Sequence, residues 1–208
     1  MICFSKNGTL ELPKQLLKEL GWRNNERLNA SLLNDNLILQ RVPHTVRNRL
    51  LIRCFGNFSI EWNGTEINLK NKKLKELIAL LAIENGVFLS KSYISGTLWP
   101  DSPSEKARDC LYKVIRNLRN YMDMSPFLPI EIQRGQMRIC LQDHELDILI
   151  FEKLAMQHNK SKEQFRMMFS LYRGNVLEKE CYEWSTLIQT KFEILAENFF
   201  EIHSENSD

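Results

Sequence analysis

Between Ser102 and Met122 the sequence reads SPSEKARDCLYKVIRNLRNYM, with Lys106, Arg108, Lys113, Arg116 and Arg119 against Glu105 and Asp109. Such a cluster suits a polyanion. Lysine and arginine neutralise phosphates and displace the counterions condensed on them, which gives affinity without sequence preference. Arginine and asparagine add selectivity, because each can form paired hydrogen bonds with the edge of guanine or adenine, at about 1–3 kcal/mol of discrimination per good contact. Asn117 and Asn120 lie among the cations. A charged helix face is also an ordinary solvated surface, so the elements around it decide between the two.

No other chemistry has a comparable cluster. The cysteines, Cys3, Cys54, Cys110, Cys140 and Cys181, are an odd number scattered singly, and His44, His144, His158 and His203 are equally isolated. Metal sites need ligands at short fixed spacings, and disulfide frameworks need pairs. There is no GxSxG elbow, no phosphate-binding glycine loop and no HExxH helix. The sequence therefore implies no enzyme, no metal and no cofactor. No apolar run approaches the roughly 20 residues that cross a bilayer, and the opening MICFSKNGTLELPK lacks the zones of a secretory signal. A soluble cytoplasmic chain without a membrane partner is expected. Net charge is +2, but residues 151–208 carry 7 Lys/Arg against 10 Asp/Glu, a surface suited to solvent or to protein.

Around the basic stretch the hydrophobic period changes repeatedly. Residues 49–146 open with three short apolar runs, LLIRCF, FSIEW and TEINL, separated by Gly56-Asn57 and Asn63-Gly64, and Asn-Gly favours a tight hairpin turn. Leu74, Leu77, Ile78 and Leu81 then fall at helical spacing up to Gly86, and Ser90 marks the cap of a short second helix carrying Ile94, Leu98 and Trp99. The basic stretch is predicted as a third helix over 104–122, with Ser102 as its cap and Pro103 at its first position. Helical periodicity gathers Ala107, Leu111, Val114, Ile115, Leu118 and Met122 on one side. Lys106, Asp109, Lys113, Arg116, Asn117 and Asn120 lie opposite, with Arg108 and Arg119 on the flank. Over 130–141, IEIQRGQMRICL alternates on both sides of Arg134-Gly135 and reads as a hairpin with a basic tip. Two helices, a basic helix and a hairpin, in that order, describe a winged helix-turn-helix.

Phe55 to Leu154 resembles the OmpR/PhoB-type winged helix of SARP-like transcriptional activators. The likeness rests on FGNFSIEWNGTEI, KLKELIALLAIENGVFLSKSYISGTLWPD, SEKARDCLYKVIRNLR and IQRGQMRICL, and continues into DILIFEKL. It implies double-stranded DNA as partner, with the third helix in the major groove and the hairpin, or wing, against the adjacent backbone or minor groove. By position it implies that Asp109, Cys110, Lys113, Arg116 and Asn117 face the groove with Lys106 alongside, and that Arg119 meets a phosphate. Arg134 and Arg138 would belong to the wing, and Lys91 and Trp99 would lie where the second helix approaches the backbone. Cys110 and Asn117 depart from the family, in which a hydroxyl and an arginine are common at those places. Residues 147–208 resemble the opening helical pair of the bacterial transcriptional activation domain, on Tyr172, Gly174, Leu177, Tyr182 and Trp184, with RNA polymerase a candidate partner.

Residues 1–43 have a pattern of their own. Leu10 and Leu12 alternate, Pro13 opens a helix whose Leu16, Leu17 and Leu20 end at Gly21, and Leu28, Ala30 and Leu32 lead through Asn34–Asn36 into LILQRV. The unit resembles the AbrB-like swapped-hairpin regulators, in which two chains interlock into one small barrel, and a unit of this size buries too little surface to stand alone. The resemblance implies a homodimer, with Lys6, Lys14 and Arg23 serving a second DNA contact or the dimer module. Residues 44–48 read as a linker. The expected fold is α+β: a small N-terminal swapped-hairpin β unit, a winged helix-turn-helix domain and a short C-terminal α-helical segment. The expected function is a sequence-specific DNA-binding transcriptional regulator, an activator. The competing reading is a dimeric protein-interaction module, antitoxin-like or anti-regulator, acting through the N-terminal hairpin and the acidic tail.

Overall fold

Period-two alternation becomes strand pairing in the computed structural model, which describes residues 3–4, 10–11, 28–33, 36–41, 49–124, 128–157 and 160–205. The chain divides into two units, Met1–Arg47 and Asn48–Asp208. In the first, β1 (Cys3–Phe4) pairs antiparallel with β2 (Leu10–Glu11), and β3 (Leu28–Leu33) pairs antiparallel with β4 (Asn36–Arg41). The register sets Leu28 opposite Arg41 and Leu33 opposite Asn36, the hairpin expected of those runs. The leucine helix after Pro13, the linker, and Lys6, Lys14 and Arg23 lie outside the described residues.

The second unit opens with the antiparallel meander β5 (Leu50–Arg53), β6 (Ser59–Trp62) and β7 (Thr65–Glu66). Asn63 and Gly64 both adopt positive φ, 54° and 80°, as the Asn-Gly pair predicts for a turn between β6 and β7. The third strand is shorter than the TEINL run. Helix α1 (Lys72–Ile83) is capped by the Asn71 side chain, which accepts from Leu74 N at 3.1 Å. Strand β8 (Leu89–Ser90) runs directly into α2 (Lys91–Leu98), where Ser90 caps by accepting from Tyr93 N at 3.1 Å. Helix α3 covers Ser104–Met124, and the Pro103 carbonyl accepts its first bond, from Ala107 N at 2.9 Å. Ser102 therefore stands ahead of the helix instead of capping it, because its own N–H turns back to the Trp99 carbonyl at 3.2 Å. Strands β9 (Ile130–Gln133) and β10 (Gln136–Ile139) form the hairpin around Arg134-Gly135, and β10 also pairs with β8. Helices α4 (Asp147–Ala155), α5 (Lys162–Leu171) and α6 (Thr186–Glu205) follow.

One core runs through the second unit. Leu77, Ile78 and Leu81 of α1, Ile94 and Leu98 of α2, and Leu111, Ile115 and Leu118 of α3 close over Met137 and Ile139 of the hairpin. The same cluster reaches Phe55, in the connection from β5 to β6, and Phe151 and Phe192 of the helical segment. Phe55 is the keystone, with ring centroids 5.1 Å from Phe151, 5.3 Å from Tyr172 and 5.6 Å from Phe192. Beside it the backbone pairs across the chain, with Gly56 N donating to Asn175 O at 2.9 Å and Leu177 N to Cys54 O at 2.7 Å. Gly56 has φ +71°, and a Cβ there would sit 2.7 Å from the Arg173 carbonyl oxygen, so only glycine lets the two segments approach.

Candidate nucleic-acid interface

The apolar stripe of α3 determines where its charges go. Ala107, Leu111, Val114, Ile115 and Leu118 are buried, and a helix fixed along that stripe holds the opposite side chains in solvent. Lys106, Arg108, Asp109, Lys113, Arg116, Asn117, Arg119 and Asn120 are all exposed, and Cys110 is half-buried at the edge of the stripe. Among the described residues the cations of Arg53, Lys73, Lys75, Arg138, Lys153, Arg173 and Lys191 are held in ion pairs, while none of the five cations of α3 is.

The hairpin turn is pinned to the same region. The Gly135 carbonyl accepts from Lys91 N at 2.9 Å, and β8–β10 pairing sets Gln136 opposite Ser90. Lys91 in turn places its Nζ 5.4 Å from the Tyr112 ring centroid on α3. Lys91, the exposed Arg134 and α3 are thereby brought together. Two other candidates are occupied differently. Arg138 places its guanidinium carbon over the Phe88 ring, 4.1 Å from the centroid, and its Nη2 donates to both oxygens of Glu131 at 3.0 Å. Its Nη1 reaches the Gly86 carbonyl at 3.5 Å, while its Nε is enclosed without a hydrogen-bond partner. Trp99 ends α2 half-buried against the core, and Lys73 stands 5.3 Å over its ring while donating to the Leu98 carbonyl at 2.6 Å. It lies at the far end of α2 from Lys91.

A second cluster was not singled out from sequence. Asp147 is fully buried, and its carboxylate accepts from Cys54 N at 2.7 Å, Phe55 N at 3.1 Å and Ile148 N at 2.8 Å. Arg173 Nη2 stands 3.8 Å away. Burial pushes the Asp147 carboxyl up to about 6, against the opposing pull of the Cys54 and Phe55 amides and of Arg173. Burial likewise pushes the Cys54 thiol up, with the negative charge of Asp147 adding to the effect. The one signal in the sequence is a lone acid in the apolar run LDILIF. For Tyr112 the one signal is its place four residues from both Arg108 and Arg116, with nothing in the sequence to single it out. Among the described residues no group of three or more His, Cys, Asp or Glu is placed to hold a metal, and no helix is long and apolar enough to cross a membrane.

Two helices and a third, exposed basic helix, closed by a hairpin that folds back on the start of the second, define a winged-helix-like α+β fold. The chain is similar in structure to Mycobacterium tuberculosis EmbR, solved in complex with a low affinity phosphopeptide, at a TM-score of 0.61 and 18% identity. The match covers 76% of this chain and 44% of EmbR, so it spans less than half the length of that protein. No family model and no curated protein matches the sequence.

Proposed function

We propose that the chain is a sequence-specific DNA-binding transcriptional regulator that reads the major groove with α3 and sets the β9–β10 wing against the adjacent backbone or minor groove. The observation that carries this reading is the pairing of a buried apolar stripe with an exposed Lys113, Arg116 and Asn117 on α3, next to a wing turn tied to α2 through Gly135. A helix fits the major groove, and one of 21 residues extends about 30 Å, more than enough to cross it. The free cations of α3, with Arg134 and Lys91, supply the phosphate contacts that fix register, while Arg116 and Asn117 have the donors to read bases. The fold shared with EmbR supports the winged-helix architecture on which this reading rests. Activation through RNA polymerase by the acidic helical segment, homodimerisation through residues 1–43, and action in the cytoplasm complete the proposal.

Selection of bound sequences from random duplexes, followed by titration of the winning site at several salt concentrations, tests it. Lys113→Ala combined with Arg116→Ala is expected to lower affinity for that site at least thirtyfold, taking about 1 kcal/mol or more per lost contact, with the unfolding temperature unchanged. Affinity is also expected to fall steeply as salt rises. Unchanged affinity in the double variant, or a flat salt response, would overturn the assignment.

A further inference from the structure

Lys91 stands where three elements meet. Its backbone N–H holds the Gly135 carbonyl of the wing turn, and its ammonium lies over the Tyr112 ring of α3. Tyr112 is 50% exposed, on the polar flank of α3, with exposed Arg108 four residues before it and exposed Arg116 four after. The face of an aromatic ring carries negative potential and attracts a cation placed above it. Lysine has a long flexible stem, and among the described residues Lys91 has no carboxylate within ion-pair reach, so the ring is the group that gives its ammonium a preferred place.

We propose that Tyr112 is a positioning residue of the DNA interface. Its ring fixes the Lys91 ammonium at the junction of α3 and the wing, where that ammonium meets a backbone phosphate of the strand passing between the two. The inference rests on the DNA-reading function proposed above. A lysine already held in place loses less side-chain freedom on meeting the phosphate than a free one, so the ring raises affinity without adding charge. Lys91 itself differs, because removing it removes one neutralised phosphate.

The experiment is a salt titration of the full chain on its selected duplex, with single and double variants. Lys91→Met is expected to weaken binding and to reduce the salt slope by about 1. Tyr112→Leu is expected to weaken binding about two- to fivefold at an unchanged slope, whereas Tyr112→Phe, which keeps the ring face, stays close to wild type. On the Lys91→Met background, Tyr112→Leu is expected to cost nothing further. A Tyr112→Leu effect that persists undiminished there would overturn the inference, as would wild-type affinity in Tyr112→Leu alone. In the free protein, the Lys91 ε-protons are expected to show an upfield ring-current shift in wild type and Tyr112→Phe, and none in Tyr112→Leu. Its absence from wild type would overturn the inference without reference to DNA. A wild-type chain that binds no duplex would overturn the DNA reading and the inference with it, while a binding wild type with an inert Tyr112→Leu would overturn the inference alone.

Discussion

A carboxylate held at zero exposure by three backbone amides, as Asp147 is, links proton binding to folding. Its folded-state value of about 6 lies above the ordinary 3.8, so the folded chain keeps this proton over an interval in which the unfolded chain has released it. The stability from this group is therefore fully present below about 3.8 and is lost as pH rises through about 6. The interval corresponds to about 3 kcal/mol. Other carboxylates titrate nearby, so the measurement is a difference: unfolding free energy of wild type minus that of Asp147→Asn, followed from pH 4 to pH 7. That difference is expected to fall by about 2 kcal/mol over this range, part of the effect being lost already below pH 4. A flat difference would show that the amides and Arg173 cancel the effect of burial.

The wing illustrates how one element divides labour between two arginines of the same type. Arg134 is exposed at the turn, while Arg138 is set over the Phe88 ring and clasped by Glu131, which faces it directly across β9–β10. Arg134→Ala is expected to reduce the salt slope of DNA binding by about 1 and to leave the unfolding temperature unchanged. Arg138→Ala is expected to do the reverse, lowering the unfolding temperature in a calorimetric scan by losing the cation–ring contact and the ion pair together. Equal salt slopes for the two variants would remove the distinction. Strands and helices of this kind were legible because their periods are local: β9 and β10 flank Arg134-Gly135, α2 is capped by Ser90, and α3 buries the stripe that its spacing defines. Helix α3 starts at Ser104 as its spacing predicts, and only the cap differs, because Ser102 belongs to the turn leaving α2 and a Ser-Pro pair signals a helix start without saying which turn precedes it. What period cannot encode is partnership between distant residues. The Phe55 and Val176 bridge, the Asp147 clasp on Cys54 and Phe55, and the Lys91 contact with Tyr112 each join residues from separate elements, and so does the Glu131 contact that occupies Arg138.

At the scale of the molecule these long-range contacts make α4–α6 part of the winged-helix core. Phe55 is covered by Phe151, Tyr172 and Phe192, the backbone of Cys54 and Gly56 is paired with residues 175–177, and α1 is tied to the same segment by Lys75 to Glu180 at 2.7 Å and Trp184 Nε1 to Glu76 at 3.3 Å. Removing residues 147–208 would uncover Phe55, which alone loses about 1.5–3 kcal/mol of burial if fully exposed, against a typical domain stability of about 5–15 kcal/mol. It would also return the Cys54, Phe55 and Gly56 amides to water. Residues 48–146 alone are therefore expected to lack a cooperative thermal transition, whereas residues 48–208, which form a unit with its own core, are expected to unfold in a single one. Calorimetry of the two pieces decides the matter, and a sharp transition in 48–146 at the temperature of 48–208 would make the helical segment dispensable to the fold.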